Sequence, residues 1–420
     1  VAKNELDKAL GFFKFALDNS PNVSLFWASY IDTLIKLERI GESKTLVKAV
    51  KQAGISCDKI EALSQHLDVK HQDPGPKETQ DLNKLLEQQK FDDAIKACQS
   101  LTETYPSSAV LNITLGKCYT EMDQIETAIE SYQKAIKINP ECGEAYFYIG
   151  MLLKDKGDPE AAIEHYQKVI EIDPNSAAAY NNMGVVLRDT GHPDSAIKSL
   201  KQALIFDPNC AETYNNMGNS FSDKGNHKVA IENYQQAIKI NPDYSDAFAN
   251  LGFSQRDAGD LNAAIKSYKK ARDLNPNYIV PHFNMGAVLR DQGNQDGAIE
   301  SYKQAINIDP NCAEAYNNIG NIYKDAGNLD SAIENYQTAI KLDPALFAAH
   351  NNLGISLERS GKTEAAVKSF KQARKLDSEN ASIRHIISAL TGQQTPSAPN
   401  DFVEGLFDSY AVKFDQSLVE

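Results

Sequence analysis

The feature that most constrains this chain is a period of 34 residues that runs through most of its length. A glycine recurs at that interval in eight successive units, and an alanine follows each glycine by 12 residues. A large side chain follows each glycine by 16 residues, and a proline ends seven of the eight units. The glycines are Gly116, Gly150, Gly184, Gly218, Gly252, Gly286, Gly320 and Gly354. Such a period predicts stacked supersecondary units that bury a continuous core between neighbours.

One unit, residues 176–209, shows the local logic. Apolar residues from Tyr180 to Leu187 recur at helical spacing and predict an amphipathic first helix. Gly191 then supplies the left-handed turn that ends this helix. A second helix follows and ends before Pro208, because proline cannot continue a helix. Neither helix can bury its apolar stripe alone, so the unit depends on its neighbours for stability.

These glycine, alanine, aromatic and proline positions, in phase over eight units, resemble the tetratricopeptide repeat (TPR). The resemblance implies an all-α fold, a right-handed superhelical solenoid of about ten helix-turn-helix units. It also implies that the first helix of each unit lines the concave surface.

The regular units are flanked by weaker ones. We expect two degenerate N-terminal units, the first of them partial, then a linker, a further degenerate unit, eight regular units, a capping helix, a second linker and a terminal stub. In chain order these segments are 1–65, 66–79, 75–108, 109–378, 379–391, 393–400 and 401–420.

A row of asparagines is the most informative feature outside the core. The asparagine stands two residues before the repeated glycine in six consecutive units, at a position that points away from the apolar stripe. Each one costs about 0.5–0.7 kcal/mol relative to alanine in a helix, so the repetition needs an explanation. The residues of this asparagine ladder are Asn182, Asn216, Asn250, Asn284, Asn318 and Asn352.

The ladder is similar to the one in the superhelix of O-linked N-acetylglucosamine transferases, which implies that it holds a polypeptide by its backbone. A carboxamide offers one acceptor and two donors, which suits a peptide unit of an extended chain. The chain departs from this pattern at Thr114 and Tyr148, in the first two regular units. The alternative is that recently duplicated repeats simply share solvated asparagines.

A second row, of aspartates, follows the same glycines by five residues. Because the ladder asparagine and this aspartate are seven residues apart, they lie on one helix face. The row consists of Asp155, Asp189, Asp223, Asp257, Asp291 and Asp325, and we expect the last five to contact peptide. The alternative is that adjacent basic residues neutralise the row as a salt-bridged surface.

Composition excludes several classes of function. The 420 residues carry a net charge of −14, which argues against a nucleic-acid or anionic-membrane partner. No apolar run is long enough to span a membrane. The six cysteines show no metal-binding spacing, and the last three, Cys142, Cys210 and Cys312, lie whole repeats apart, too far to pair. This favours a reducing compartment, and we expect the cytoplasm.

Other motifs do not indicate chemistry. His282 and His350 occupy an aromatic core position, which favours packed histidines over metal ligands. The segment 360–363 lacks the first glycine of a phosphate loop, and its Gly361 is the turn residue of the repeat. We therefore expect no cofactor, no metal and no catalytic activity in this chain.

The last residues differ from the repeats. The segment 401–420 resembles the opening of the S-adenosylmethionine-dependent methyltransferase domain that follows TPR arrays in some bacterial proteins, through a stretch around Phe407 and Tyr410. Three functions stay open. The first is a scaffold that binds an extended polypeptide. The second is a structural protein that self-assembles head-to-tail into an oligomer or filament. The third is the substrate-recruiting arm of a larger methyltransferase.

Overall fold

A computed structural model describes residues 2–37, 39–70 and 73–392 of the chain. Every regular element in these residues is an α-helix, which confirms the all-α prediction. The chain forms two compact units that divide between Ser220 and Phe221, within helix α13. The helices up to that division are α1 (Ala2–Asn19), α2 (Ser24–Lys36), α3 (Ile40–Gln52), α4 (Asp58–Lys70), α5 (Pro76–Glu87), α6 (Phe91–Thr104), α7 (Ala109–Glu121), α8 (Ile125–Ile138), α9 (Gly143–Asp155), α10 (Pro159–Ile172), α11 (Ala177–Asp189), α12 (Pro193–Phe206) and α13 (Ala211–Asp223).

The helices of the second unit continue the same alternation of a shorter first helix and a longer second helix. They are α14 (His227–Ile240), α15 (Ser245–Asp257), α16 (Leu261–Leu274), α17 (Ile279–Asp291), α18 (Gln295–Ile308), α19 (Ala313–Asp325), α20 (Leu329–Leu342), α21 (Phe347–Arg359), α22 (Thr363–Leu376) and α23 (Ala381–Thr391).

Turn residues fix the ends of these helices. Gly191 has φ of +79°, in the left-handed region where glycine carries no steric penalty, as its position in the repeat predicts. Asp123 and Gln89 hold the same turn without a glycine, at φ of 57° and 56°. Polar residues then start many of the second helices; the Asp260 side chain, for example, accepts the Ala263 N–H at 2.9 Å.

The core of most regular repeats is a glycine beneath an aromatic ring, and Leu200 takes the place of the ring over Gly184. A Cβ atom added to Gly286 would lie 2.8 Å from Cε1 of Tyr302, and the ring itself is fully buried. Gly252 and Tyr268 form the same contact. The glycine is therefore required because the two helices approach too closely for any side chain at that position.

The degenerate repeats solve the same packing problem with different residues. At the glycine and ring positions, the segment 75–108 has Leu82 and Cys98, which share one buried cluster. The segment 24–57 has Ile31 and Val47, also in one cluster. A larger side chain at the first position thus accompanies a smaller one at the second.

The N-terminal helices make a contact that the repeat period does not specify. Helix α4 continues to Lys70, so it includes the first residues of the stretch 66–79 that we expected to be a linker. Helix α3 lies against the end of α8, with Gly41 directly on Pro140. Asp73 lies over the start of α7, where its Oδ1 accepts from the Ser108 hydroxyl at 2.6 Å.

The C-terminal helix α23 covers the end of the last repeat. Ile383 and Ile387 are buried in one cluster with Phe370. This helix occupies the stretch 379–391 in which a capping helix was expected. The predicted linker 393–400 and the predicted stub 401–420 lie outside the described residues.

Candidate functional site

The first helices of the repeats form the inner face of each unit. In the first unit α9 contacts α11, and in the second α15 contacts α17 and α19 contacts α21. Within the described residues, no two successive second helices come as close. Side chains along the first helices therefore meet those of the neighbouring repeats.

All six ladder asparagines lie on first helices, and most of them are half-buried. They point away from the apolar core, as predicted, but they are not fully exposed to solvent. Asn216 is only 9% exposed. The reason is the close approach of neighbouring first helices, which encloses this position from one side.

Two ladder asparagines bind the preceding repeat. Nδ2 of Asn216 donates to Oδ1 of Asn181 at 3.1 Å, and Nδ2 of Asn352 donates to Oδ1 of Asn317 at 3.0 Å. Asn181 also donates to Glu212 at 3.0 Å. These amides therefore join successive repeats, a structural role that the sequence analysis did not anticipate. The signal was present, because an asparagine stands 35 residues before each of these two ladder residues.

Three ladder asparagines lack such a partner position. The residues 35 positions before Asn182, Asn284 and Asn318 are Phe147, Ala249 and Phe283, which have no polar side chain. Nδ2 of Asn182 donates instead to the carbonyl of Ala178 in its own helix, at 3.0 Å. Asn318 contacts the preceding repeat in another way, through a side-chain contact with Tyr302. The amide–amide bond between repeats is therefore a property of some ladder residues and not of all. Asn250 follows Asn215 by 35 residues and forms a contact of its own.

The aspartate row carries its own counterions. In five repeats the basic residue immediately before the aspartate forms an ion pair with it; an example is Arg188 with Asp189, at 2.6 Å. The other pairs are Lys154 with Asp155, Arg256 with Asp257, Arg290 with Asp291 and Lys324 with Asp325. Asp223 follows Ser222 and has a partner of its own. This geometry supports the salt-bridged alternative, and exposed pairs of this kind contribute about 0–1 kcal/mol.

The first two regular repeats replace the ladder amide in different ways. Thr114 is buried, and its hydroxyl donates to the Val110 carbonyl of its own helix at 2.9 Å. The Tyr148 ring stacks on the buried Tyr132 ring, with centroids 5.3 Å apart. The Lys117 ammonium lies 5.4 Å from the Tyr148 centroid. An aromatic residue at a ladder position was the sequence signal for this different surface.

The two core histidines are packed residues, as their position predicts. Nε2 of His282 lies 3.4 Å from the Pro276 carbonyl, and Nε2 of His350 lies 3.1 Å from the Pro344 carbonyl. Burial lowers the pKa of His282 because it disfavours the charged ring. In the described part of the chain, no three histidine, cysteine or acidic residues group as a metal site would require.

The cysteines are free thiols. Burial raises the pKa of Cys98 to about 12 and that of Cys118 to about 11, so neither is an activated nucleophile. Among the described helices, none is long and apolar enough to cross a membrane.

Stacked helical pairs of this kind form a scaffold suited to protein–protein interaction. The chain belongs to the tetratricopeptide repeat family. The family models described as TPR repeat and tetratricopeptide repeat together match more than half of the chain. Their matches are residues 84–108, 113–142, 150–191, 177–210, 218–255, 254–289, 286–327, 320–361 and 347–380.

Solved structures of the same fold are similar over part of the chain. The crystal structure of MamA is 31% identical, with a TM-score of 0.36, over 40% of this chain and 97% of its own. PilF of Pseudomonas aeruginosa is 23% identical, with a TM-score of 0.45, over 50% of this chain and 96% of its own. YrrB, titled a TPR protein with an unusual peptide-binding site, is 24% identical, with a TM-score of 0.37, over 44% of this chain and 96% of its own. No curated protein matches the chain.

Proposed function

We propose that the protein is a non-catalytic scaffold whose inner face holds an extended polypeptide through ladder amides. The observation that carries this proposal is the presence of half-buried asparagines on the first helices, three of which lack an amide partner in the preceding repeat. These three are Asn182, Asn284 and Asn318. In this proposal Asn216 and Asn352 maintain the stacking of repeats, and the aspartates contribute through their ion pairs with neighbouring basic residues.

The chemistry favours a sequence-tolerant ligand. A carboxamide held at a helix surface can both donate to and accept from one peptide unit. Contacts to the ligand backbone are the same for every residue type except proline and give little side-chain selectivity. Such binding needs no cofactor, and the reduced cysteines are suited to the cytoplasm.

A triple variant with Asn182→Ala, Asn284→Ala and Asn318→Ala tests the proposal. The probe is a pool of short fluorescent peptides of randomised sequence, read by anisotropy. We expect the triple variant to bind at least about tenfold more weakly, equivalent to about 1.4 kcal/mol, because several hydrogen bonds are lost. Its melting temperature should stay close to that of the wild type.

The matched control replaces three exposed amides on second helices, Gln133, Gln236 and Asn307, with alanine. It should bind like the wild type. Unchanged binding by the ladder variant, with its fold intact, would show that the ladder does not hold peptide.

A second candidate function is head-to-tail self-association through α1. Phe12 and Phe15 are 75% and 70% exposed on this helix, which is unusual for aromatic side chains. The occupant we propose for this surface is the C-terminal end of another copy. Such a heterologous contact produces a filament unless it closes into a ring.

A third candidate rests on sequence alone. The segment 401–420 would begin a methyltransferase domain, and the repeats would deliver polypeptide substrates to it at high local concentration. The coding sequence after Glu420 tests this directly. A strand followed by a glycine-rich turn would support the candidate, and a stop codon or further 34-residue units would contradict it.

A further inference from the structure

Two exposed apolar side chains lie on the first helices of neighbouring repeats in the second unit. Phe253, on α15, is 38% exposed, and Val280, on α17, is 39% exposed. The other large apolar side chain that is exposed in the described part of this unit is Leu376, at the end of a second helix. Isolated apolar side chains are ordinary on a surface, whereas contiguous apolar surface indicates an interaction site.

The two side chains are neighbours across adjacent first helices. Phe253 directly follows its repeat glycine, and Val280 stands six residues before the glycine of the next repeat. In the first unit the same two positions hold Lys117 and Glu144, whose ammonium and carboxylate are 2.6 Å apart. Since α15 also contacts α17, the geometry of the repeat places Phe253 beside Val280. The two residues therefore form one apolar patch.

Small residues leave space beside this patch. Ala287 occupies the position of Phe253 in the next repeat, and elsewhere the same position holds Val185 and Ile355. Ala249 lies one turn before Phe253 on α15 and is buried. A side chain of a ligand can therefore reach Phe253 without displacing a side chain of the protein.

Arg256 holds the Phe253 ring in place and covers one of its faces. The guanidinium carbon lies 4.6 Å from the ring centroid, and Nη2 donates to Oδ1 of Asp257 at 2.8 Å. On α17, Arg290 and Asp291 form the equivalent ion pair. A cationic guest would compete with Arg256 for the ring face, so the ring does not select for a cation. The exposed remainder of the ring is left for an apolar contact.

The patch adjoins a ladder asparagine that lacks an amide partner. Asn284 is three residues before Ala287, so the two side chains are neighbours on one helix face. The residue 35 positions before Asn284 is Ala249, which offers its amide no polar group. This part of the inner face thus combines an amide for the backbone of a ligand with an apolar contact for one of its side chains.

We propose that the apolar patch binds one large aliphatic side chain, such as leucine, of a polypeptide whose backbone is held by Asn284. Successive side chains of an extended peptide point to opposite sides, so one of the two residues beside the bonded peptide unit faces the patch. The inference rests on the proposed peptide binding and adds a side-chain preference to it. Ladder contacts tolerate any sequence, whereas the patch fixes the register of the peptide in this unit.

Three fluorescent peptide pools test the preference. All share a background randomised among polar residues, and they differ at one central position, which is leucine, asparagine or arginine. Asparagine has nearly the shape of leucine without its apolar surface. We expect the wild-type protein to bind the leucine pool about tenfold more tightly than the asparagine pool, the effect of partly burying one aliphatic side chain.

The variant Phe253→Asn with Val280→Thr should abolish this preference and leave binding of the asparagine pool unchanged. Both side chains are exposed, so the melting temperature should stay near that of the wild type. The matched control, Ile205→Asn with Leu376→Thr, makes the same kind of change at exposed positions of second helices and should keep the preference. An equal loss in both variants would show a general apolar attraction and would overturn the assignment.

Ala287→Leu tests the space beside the patch. A large aliphatic residue is compatible with this position, since Ile355 occupies it in another repeat. The added side chain should fill the space next to Phe253 and weaken binding of the leucine pool about tenfold, with the asparagine pool bound as before. Unchanged or tighter binding of the leucine pool would show that the guest does not enter this space and would overturn the proposal.

The outcomes separate this inference from the function on which it rests. If all three pools bind equally and the ladder variant weakens all of them, the peptide groove stands and the apolar patch is wrong. If the arginine pool binds most tightly, the patch is wrong as well. If the ladder variant binds every pool as the wild type does and the leucine preference persists, the proposed function fails and the patch stands. If no pool binds wild-type protein, both fail.

Discussion

At the scale of single residues, the contact between a helical glycine and a buried ring controls the approach of two helices. Gly286→Ala places a methyl group within 2.8 Å of the Tyr302 ring, which has no space to move. We expect a loss of about 1–3 kcal/mol in the free energy of unfolding, the range for overpacked cores. Urea denaturation followed by circular dichroism measures the loss.

Gly11→Ala is the matched control for this prediction. Gly11 is also helical, but a Cβ atom there would meet nothing within 4 Å. Alanine should therefore be neutral or stabilise α1 by up to about 1 kcal/mol, because its helix propensity is higher. Equal destabilisation by both variants would contradict the proposed role of ring contact.

His282 gives the fold a sensitivity to acid. Burial and the nearby Arg272 lower its pKa in the folded state, so the unfolded chain binds the proton more readily. The contribution of His282 to the free energy of unfolding is present in full above pH about 6.5, the pKa of a histidine in the unfolded chain. This contribution is lost as the pH falls from there through the lower pKa of the folded state. We expect His282→Phe to reduce the decrease in melting temperature between neutral and mildly acidic pH.

The control for the pH prediction is His192→Phe. His192 is exposed, so its replacement should leave the acid sensitivity nearly unchanged. If His282→Phe shows the same pH dependence as the wild type, the buried ring is not its source.

At the scale of helices and repeats, paired amides connect first helices that are far apart in sequence. Asn181 and Asn216 are 5% and 9% exposed. Water therefore cannot hydrogen-bond to either amide in place of a partner that has been removed. Removing one side chain should leave its partner unsatisfied and cost about 1–3 kcal/mol. A double-mutant cycle of Asn181→Ala and Asn216→Ala should therefore show a coupling energy, with the double variant less destabilised than the sum of the single ones.

The equivalent cycle at Ala249 and Asn284 is the control. Because Ala249 has no polar side chain, Ala249→Gly and Asn284→Ala should show little side-chain coupling. Coupling of similar size at both sites would indicate backbone adjustment rather than the amide–amide hydrogen bond.

The sequence predicts more of the repeat than of what joins the repeats. The glycine, ring and turn positions follow from a period of 34 residues, and Gly191 indeed has positive φ. The bond from Asn216 to Asn181 depends on which neighbouring side chain faces the ladder, and periodicity does not determine that. The contact of Gly41 with Pro140 joins α3 to α8, which are not neighbours in the repeat order, so no local pattern predicts it.

At the scale of the whole molecule, the exposed aromatic side chains of α1 predict association. The monomer has a mass of 46.3 kDa, and the self-association candidate requires the measured mass to rise with protein concentration. Multi-angle light scattering measures this rise. The variant Phe12→Lys with Phe15→Glu should stay monomeric, because it removes the apolar surface without changing net charge.

Ile205→Lys controls for the general effect of removing an exposed apolar side chain. Ile205 is 65% exposed on α12, away from α1 in sequence, and its replacement should leave association unchanged. A wild-type mass that stays at the monomer value at high concentration contradicts the candidate.

The glycine and ring positions of a repeat pack against each other, so a larger side chain at one requires a smaller side chain at the other. This requirement fixes the order in which the two positions can be substituted as duplicated repeats diverge. A repeat with glycine and tyrosine cannot gain a leucine at the glycine position first, because the ring already fills that space. The ring must be lost before the glycine can be replaced, and the intermediate carries a cavity that costs about 2–5 kcal/mol. A change from a glycine and tyrosine pair to the Leu82 and Cys98 pair therefore requires a protein stable enough to tolerate the destabilised intermediate. The reverse change passes through a destabilised intermediate as well.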